Sequence, residues 1–125
     1  MNLSIKGTVI HGDGYGRKLG FPTANIDRRQ FVRYHQNLKL GVYAGTVIIL
    51  ASKKMYRAGI IIGPLDNKGL PKLEAHLLDF SGDVYGQKLE FKLLTYLRPF
   101  KNFRDEKVLM YQIQKDLELV KQIKL

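Results

Sequence analysis

The chain divides into short extended apolar runs broken by glycine-rich turns, then switches to a helical period at the C-terminus. Leu3, Ile5 and Val9 predict a strand over Leu3 to His11, with Gly7 marking a bulge or a close backbone approach. Gly41 to Leu50 reads GVYAGTVIIL, a β-branched and aromatic run that predicts another strand. Two more are expected over Tyr56 to Ile62 and Leu73 to Phe80. Between them Gly63 to Lys72, with two Gly, two Pro and an Asp-Asn pair, reads as turns. A final strand is expected over Gln87 to Leu97, with Leu89, Phe91, Leu93, Thr95 and Leu97 on one face and Lys88, Glu90 and Lys92 beginning the other. Leu109, Ile113, Leu117, Val120 and Ile123 then follow at spacings of 4, 4, 3 and 3, one face of an α-helix. Asn102 followed by Asp105 predicts the N-cap, with Asp105 and Glu106 in the first turn and Lys121 and Lys124 at the opposite end of the dipole.

No helical pattern separates successive strands, so parallel crossovers are not expected. The pattern predicts a mainly β fold. Five or six antiparallel strands curl into a small barrel, with the helix on its outside or across one end. Asp27 to Leu40 is polar and basic and reads as a surface loop with room for a helical turn.

The 125 residues suit one domain spanning 1–125. A chain of this length buries a core without disulfides or zinc. The absence of cysteine excludes a disulfide framework, Cys-ligated zinc and thiol catalysis. No run approaches the roughly 18 apolar residues that span a bilayer, and MNLSIKG lacks the apolar centre of a signal peptide. No membrane association is expected, and the expected location is cytoplasmic. Charge changes the picture more. Lys plus Arg number 21 against 11 Asp plus Glu, a net charge of +10 that attracts anions: nucleic acid, anionic membrane or phosphorylated small molecules.

The chemistry-bearing stretch is HGDGYGRKLGFPTANI, with four glycines from Gly12 to Gly20. It matches neither G-x-x-x-x-G-K-[ST] nor G-x-G-x-x-G, because Arg17 stands at the closing position counted from Gly12. What remains is a cationic loop rich in backbone N–H groups, a device for holding anions that an ordinary hairpin loop also resembles. Pro22 pushes Phe21 into extended backbone. Thr23 and Asn25, two residues apart, then project to one side. Their hydroxyl and carboxamide oxygens are hard neutral ligands, suited to Mg²⁺ when nucleotide phosphates and water complete its shell. Alone, such a pair is more often turn chemistry.

GDGYGRKLGFPTANI resembles the nucleotide-binding stretch of the riboflavin kinase (flavokinase) family. Gly41-Val42-Tyr43-Ala44-Gly45, Leu73-Glu74-Ala75-His76-Leu77-Leu78-Asp79-Phe80, Asp83-Val84-Tyr85-Gly86 and Leu97-Arg98-Pro99-Phe100-Lys101-Asn102-Phe103 follow in the family's order and spacing. The resemblance implies a six-stranded Greek-key β-barrel with a C-terminal helix. It implies transfer of the ATP γ-phosphate to the 5′-hydroxyl of riboflavin, giving FMN and ADP, with Mg²⁺ accompanying ATP. It assigns Glu74 as catalytic base, Gly12, Arg17, Thr23, Asn25 and Tyr85 to ATP, Thr23 and Asn25 to the metal, and Arg98 and Lys101 to the flavin. Phe103 is a flavin neighbour or a staple for the helix, and His76 a structural or hydrogen-bonding residue. The chain departs from common bacterial members at Ile62-Gly63-Pro64-Leu65-Asp66, where a second Pro-Thr is usual. Its three histidines, His11, His35 and His76, form no H-x-G-H motif, so the adenylyltransferase activity fused to many bacterial members is not expected.

A basic β-barrel that grips single-stranded nucleic acid is the main competitor, since such barrels pair cationic grooves with exposed aromatics. Tyr43, Phe80 and Phe91 fall on strand patterns that bury them, so no nucleic-acid partner is expected. A catalytically dead flavin sensor would have no need of Glu74. The expected partners are ATP and riboflavin, bound by a monomer.

Overall fold

The computed structural model describes residues 3–11, 23–29 and 38–124. Its strands are β1 (Leu3–Ile10), β2 (Thr23–Ile26), β3 (Gly41–Ile49), β4 (Lys54–Leu65), β5 (Pro71–Leu77) and β6 (Lys88–Arg98), followed by helix α1 (Glu106–Lys121). The strands pair in the order β1-β2-β5-β4-β3-β6 and close into a barrel. Every pairing is antiparallel. β3, β4 and β5 are successive neighbours and β6 returns beside β3, which is the Greek-key arrangement.

Alternation decides which side chains fill the barrel. Ile5 and Val9 of β1, Ala24 and Ile26 of β2, Tyr43 and Val47 of β3, Ile60 and Ile62 of β4, Leu73 and Ala75 of β5, and Phe91 of β6 form one buried cluster. The Tyr43 hydroxyl stays satisfied by donating to the Lys39 carbonyl.

The strand ends and one face differ from the sequence reading. β4 extends through Gly63 and Pro64 to Leu65, and the ladder to β5 shifts between Ile62 and Leu65. β5 stops at Leu77 because Asp79 turns the chain with φ 56°. Phe80, beyond the strand, still packs edge-on against Tyr56. In β6 the expected alternation holds to Leu93 and then reverses: Thr95 is exposed, while Tyr96 packs against the core. The cause is a pair of register shifts against β3, between Val42 and Tyr43 and between Ala44 and Gly45. Each extra residue flips the side chains that follow. Gly45 is required there, because a Cβ would stand 1.9 Å from the Lys92 carbonyl oxygen.

Helix α1 is capped by Asp105, whose side chain accepts from the Lys107 backbone N–H at 2.8 Å. Asp105 rather than Asn102 is therefore the N-cap. The helix lies on the outer face of β3 and β4, burying Ile113 and Val120. Ile123 falls beyond the last turn. Its carbonyl accepts from Arg57 of β4, placing a cation at the negative end of the helix dipole. No helix among the described residues is long and apolar enough to cross a membrane.

Candidate active site

The barrel's outer face under α1 carries one ladder row that gathers chemistry. Asn25 of β2 is the register partner of Glu74 of β5. Glu74 pairs in turn with Ile61 of β4, Ile61 with Val42 of β3, and Val42 with Arg98 of β6. With strands about 4.8 Å apart, Asn25 lies one strand from Glu74 and Arg98 about 14 Å away. The neighbouring row runs Thr23, His76, Gly59. Because Ala24 and Ala75 point into the core, Thr23, Asn25, Glu74 and His76 share the outward side.

Two cavities open along this face. The first, about 200 Å³, lies between the sheet and α1 and is lined by Val42, Ile61, Lys72, Glu74, His76, Arg98, Phe100, Lys101, Phe103 and Asp116, among others. The second, about 370 Å³, is lined by His11, Asn25, Arg28, Pro64, Leu65, Asp66 and Lys72, among others. The first has an apolar floor and aromatic walls with charge at its ends. The second mixes apolar side chains, Ile10, Ile26 and Leu73 among them, with the charged Arg28, Asp66 and Lys72. Lys72 lines both.

Glu74 is almost fully buried, yet it is held by charge. Lys72 Nζ stands 2.8 Å from Glu74 Oε2, and His76 Nε2 stands 3.7 Å from Oε1. Burial holds the His76 imidazole below the usual histidine range, with the Glu74 carboxylate pulling the other way. Arg98 is clamped by α1. Its Nε lies 3.1 and 3.2 Å from the Asp116 carboxylate oxygens and its Nη2 lies 2.8 Å from Oδ2. Gln112 donates to the same carboxylate at 3.0 Å. A bidentate, buried pair of this kind fixes the guanidinium plane.

The sequence-named residues therefore divide. Glu74, Arg98, Lys101 and Phe103 meet in the first cavity, and Asn25 lines the second. Tyr85 lines neither. Its ring packs 3.8 Å from that of His11, which lines the second cavity. Gly12 and Arg17 lie outside the described residues. Among the described residues no group of three or more acid, His or Cys side chains converges on a metal position. The oxygens of Thr23, opposite His76, and of Asn25, opposite Glu74, belong to half-exposed residues and suit a hard cation that brings its own phosphate ligands.

Sequence reasoning missed Lys72 and Asp116. Lys72 was legible as an i−2 neighbour of Glu74 on one strand face. Asp116 was legible as an acid among the apolar helix positions Ile113, Leu117 and Val120.

The chain matches the flavokinase family, described as riboflavin kinase, over residues 1–124. It belongs to the riboflavin kinase family. Relatives agree. It is 38% identical to the bifunctional riboflavin kinase/FMN adenylyltransferase of Buchnera aphidicola, covering 95% of this chain and 38% of that protein. It is 37% identical to the RNA-binding riboflavin kinase RibR of Bacillus subtilis, covering 93% and 49%. The chain thus spans half or less of these relatives. Among solved structures, it superposes on riboflavin kinase from Trypanosoma brucei with a TM-score of 0.65 and 29% identity, over 94% of this chain and 76% of that one. It also superposes on a Streptococcus pneumoniae protein titled a macrolide-efflux protein, with a TM-score of 0.82 and 29% identity, over 98% and 40%. The family's barrel with one C-terminal helix is the fold observed here.

Proposed function

We propose that residues 1–125 act as one domain that transfers the γ-phosphate of ATP to the 5′-hydroxyl of riboflavin, giving FMN and ADP. The observation that carries this reading is the single ladder row from Asn25 through Glu74, Ile61 and Val42 to Arg98. It sets, in order, a neutral oxygen ligand, a carboxylate, an apolar floor and a cation. That is the sequence of surfaces that a nucleotide phosphate, a reacting hydroxyl and a flat heteroaromatic ring require in turn.

Each residue then has a task. Glu74 takes the proton of the ribityl hydroxyl as the oxygen attacks phosphorus, a contribution typical of a positioned general base. Ile61, Val42 and Phe103 provide the dry surface for the isoalloxazine ring, with Arg98 and Lys101 meeting its polar edge. Thr23 and Asn25 would hold Mg²⁺ together with ATP phosphates, and the ion would neutralise phosphate charge there. Tyr85, stacked on His11, borders the nucleotide side. Gly12 and Arg17 are assigned to the ATP phosphates by the family resemblance alone.

Single-stranded nucleic acid is the weaker reading. Tyr43 and Phe91 are wholly buried and offer no stacking face, and the exposed Tyr85 and Tyr111 lie on a turn and on α1 rather than on the strands. Among the described residues the closed barrel leaves no open sheet edge for strand pairing, which supports a monomer. A cysteine-free chain using ATP suits the reducing cytoplasm.

Incubating the purified chain with ATP, Mg²⁺ and riboflavin tests the reading. FMN and ADP should form in equal amounts, followed by chromatography with flavin fluorescence. ATP consumption without FMN, or no turnover, overturns it.

A further inference from the structure

Lys72 enters none of the assignments above, yet it is the residue common to both cavities. Its position follows from a local break in the sheet. Leu73 pairs with Ile62 and Pro71 pairs with Leu65, so Gly63 and Pro64 of β4 oppose Lys72 alone. Two residues against one is a bulge, and bulges re-aim side chains beside functional sites. Lys72 also sits two residues from Glu74 and so shares its outward face. The ammonium lies 2.8 Å from Glu74 Oε2, and the Lys72 side chain is about a third exposed, at 36%. Glu74 Oε1 lies 3.7 Å from His76 Nε2, beyond hydrogen-bond distance. One carboxylate oxygen is thus occupied by the lysine, and the other is left as proton acceptor.

We propose that Lys72 is a catalytic cation whose charge passes from Glu74 to the transferred phosphoryl group during the reaction. The inference rests on the riboflavin kinase reading and on Glu74 as base. In the resting site the Lys72 charge is balanced by the carboxylate. As the hydroxyl proton moves to Glu74 Oε1, the ribityl oxygen forms its bond to the γ-phosphorus. The bond from that phosphorus to the bridging oxygen breaks, and its electron pair leaves on ADP. Glu74 is now neutral, and the ammonium beside it meets the phosphoryl oxygens at the junction of the two cavities. The same proton transfer that creates the nucleophile therefore frees the cation that stabilises the charge in flight.

The test compares Lys72→Met, Lys72→Gln and Lys72→Arg in the wild-type and Glu74→Gln backgrounds, with Mg²⁺, ATP and riboflavin. Lys72→Met and Lys72→Gln should lower kcat about 10²-fold, as loss of a transition-state donor does, with the riboflavin KM changed by less than about threefold. Lys72→Arg should recover most of the loss, since it keeps the charge. In the Glu74→Gln background the ammonium has no carboxylate to balance it and meets the phosphates already in the ground state, so the lysine substitutions should raise the ATP KM and cost little further kcat. Equal losses in both backgrounds would overturn the handover, as would an unchanged kcat in Lys72→Met. A wild-type chain that makes no FMN would overturn the underlying reading as well, whereas an active wild type beside an equally active Lys72→Met would overturn this inference alone.

Discussion

The two cavities on the barrel's outer face are built by opposite means. The one beneath α1 is made by packing: its floor is Ile61 and Val42, its walls are Phe100 and Phe103, and Arg98 is locked by Asp116, whose carboxylate also accepts from Gln112. The one beside β2 is made by polar side chains and a sheet irregularity: His11, Asn25, Arg28 and Asp66, with Pro64 and Leu65 at the β4 bulge. Arg28 and Asp66 form an ion pair at 2.7 Å, but both are partly exposed, so the pair adds little stability. A flat apolar ring is recognised by shape and needs a stiff wall. A polyphosphate is recognised by charge and accepts an adjustable one. The boundary between them falls at Glu74 and Lys72, where the proposed transfer takes place.

The largest expected effect removes that boundary. Glu74→Gln should lower turnover by about 10²–10⁴-fold, the size of a general-base contribution, while nucleotide affinity measured by calorimetry changes little. Near-normal turnover would show that the boundary residue is not the base.

Next comes the stiff wall. Asp116→Ala should destabilise the fold by about 3–5 kcal/mol, because it leaves a largely buried guanidinium unpaired. Denaturant unfolding measures this loss. Asp116→Asn, which keeps an acceptor, should lose less. In that variant the riboflavin KM should rise more than the ATP KM, and equal rises would mean that Arg98 does not orient the flavin.

The adjustable wall should respond less. Asn25→Ala, which removes a side chain lining that cavity, should raise the KM for Mg²⁺-ATP about tenfold, the value of one lost polar ligand, and leave riboflavin binding unaltered. A selective loss of riboflavin affinity would reverse the assignment of the two cavities.

The smallest effect is a pH dependence. His76 is buried between Glu74 and Lys72 of β5 and Asp116 of α1, and its folded pKa lies below the usual 6.5. On acidification the unfolded chain therefore takes up this proton first, so stability is flat above pH about 6.5 and falls as pH drops toward the folded value. His76→Gln should flatten that slope in thermal melts between pH 7 and 5. Asp27 and Asp66 have pKa values lowered by hydrogen bonds and neighbouring arginines. Their contributions are lost only below the usual 3.8 and leave the window clear.

Much of this architecture was written in the residues. Alternation in Leu3–Ile10, the β-branched run of Gly41–Ile49, the glycine and proline punctuation, and the change of period at Leu109 dictate strands followed by one helix. Those are local signals, and hydrophobic period is a local quantity. The pairs Thr23 with Asn25 and Glu74 with His76 were each local as well. Their i, i+2 geometry already placed each pair of side chains on one face.

What local pattern could not decide is anything that depends on which strands are neighbours. β2 meets β5 only because the barrel closes, and that register brings Asn25 to Glu74. The reversal of β6 after Leu93 comes from bulges against β3, a property of two strands that neither carries alone. Asp116 and Arg98 lie on different elements, and neither names the other as its partner in the sequence. They become a buried pair because α1 docks where β6 ends. Lys72 likewise acquires two cavities from a bulge in β4. The sequence by itself determined the elements, their order and the chemical groups available, because propensity and period act over a few residues. Register, closure and helix docking determined which groups meet, because those are free energies of contacts between segments that the chain brings together only on folding.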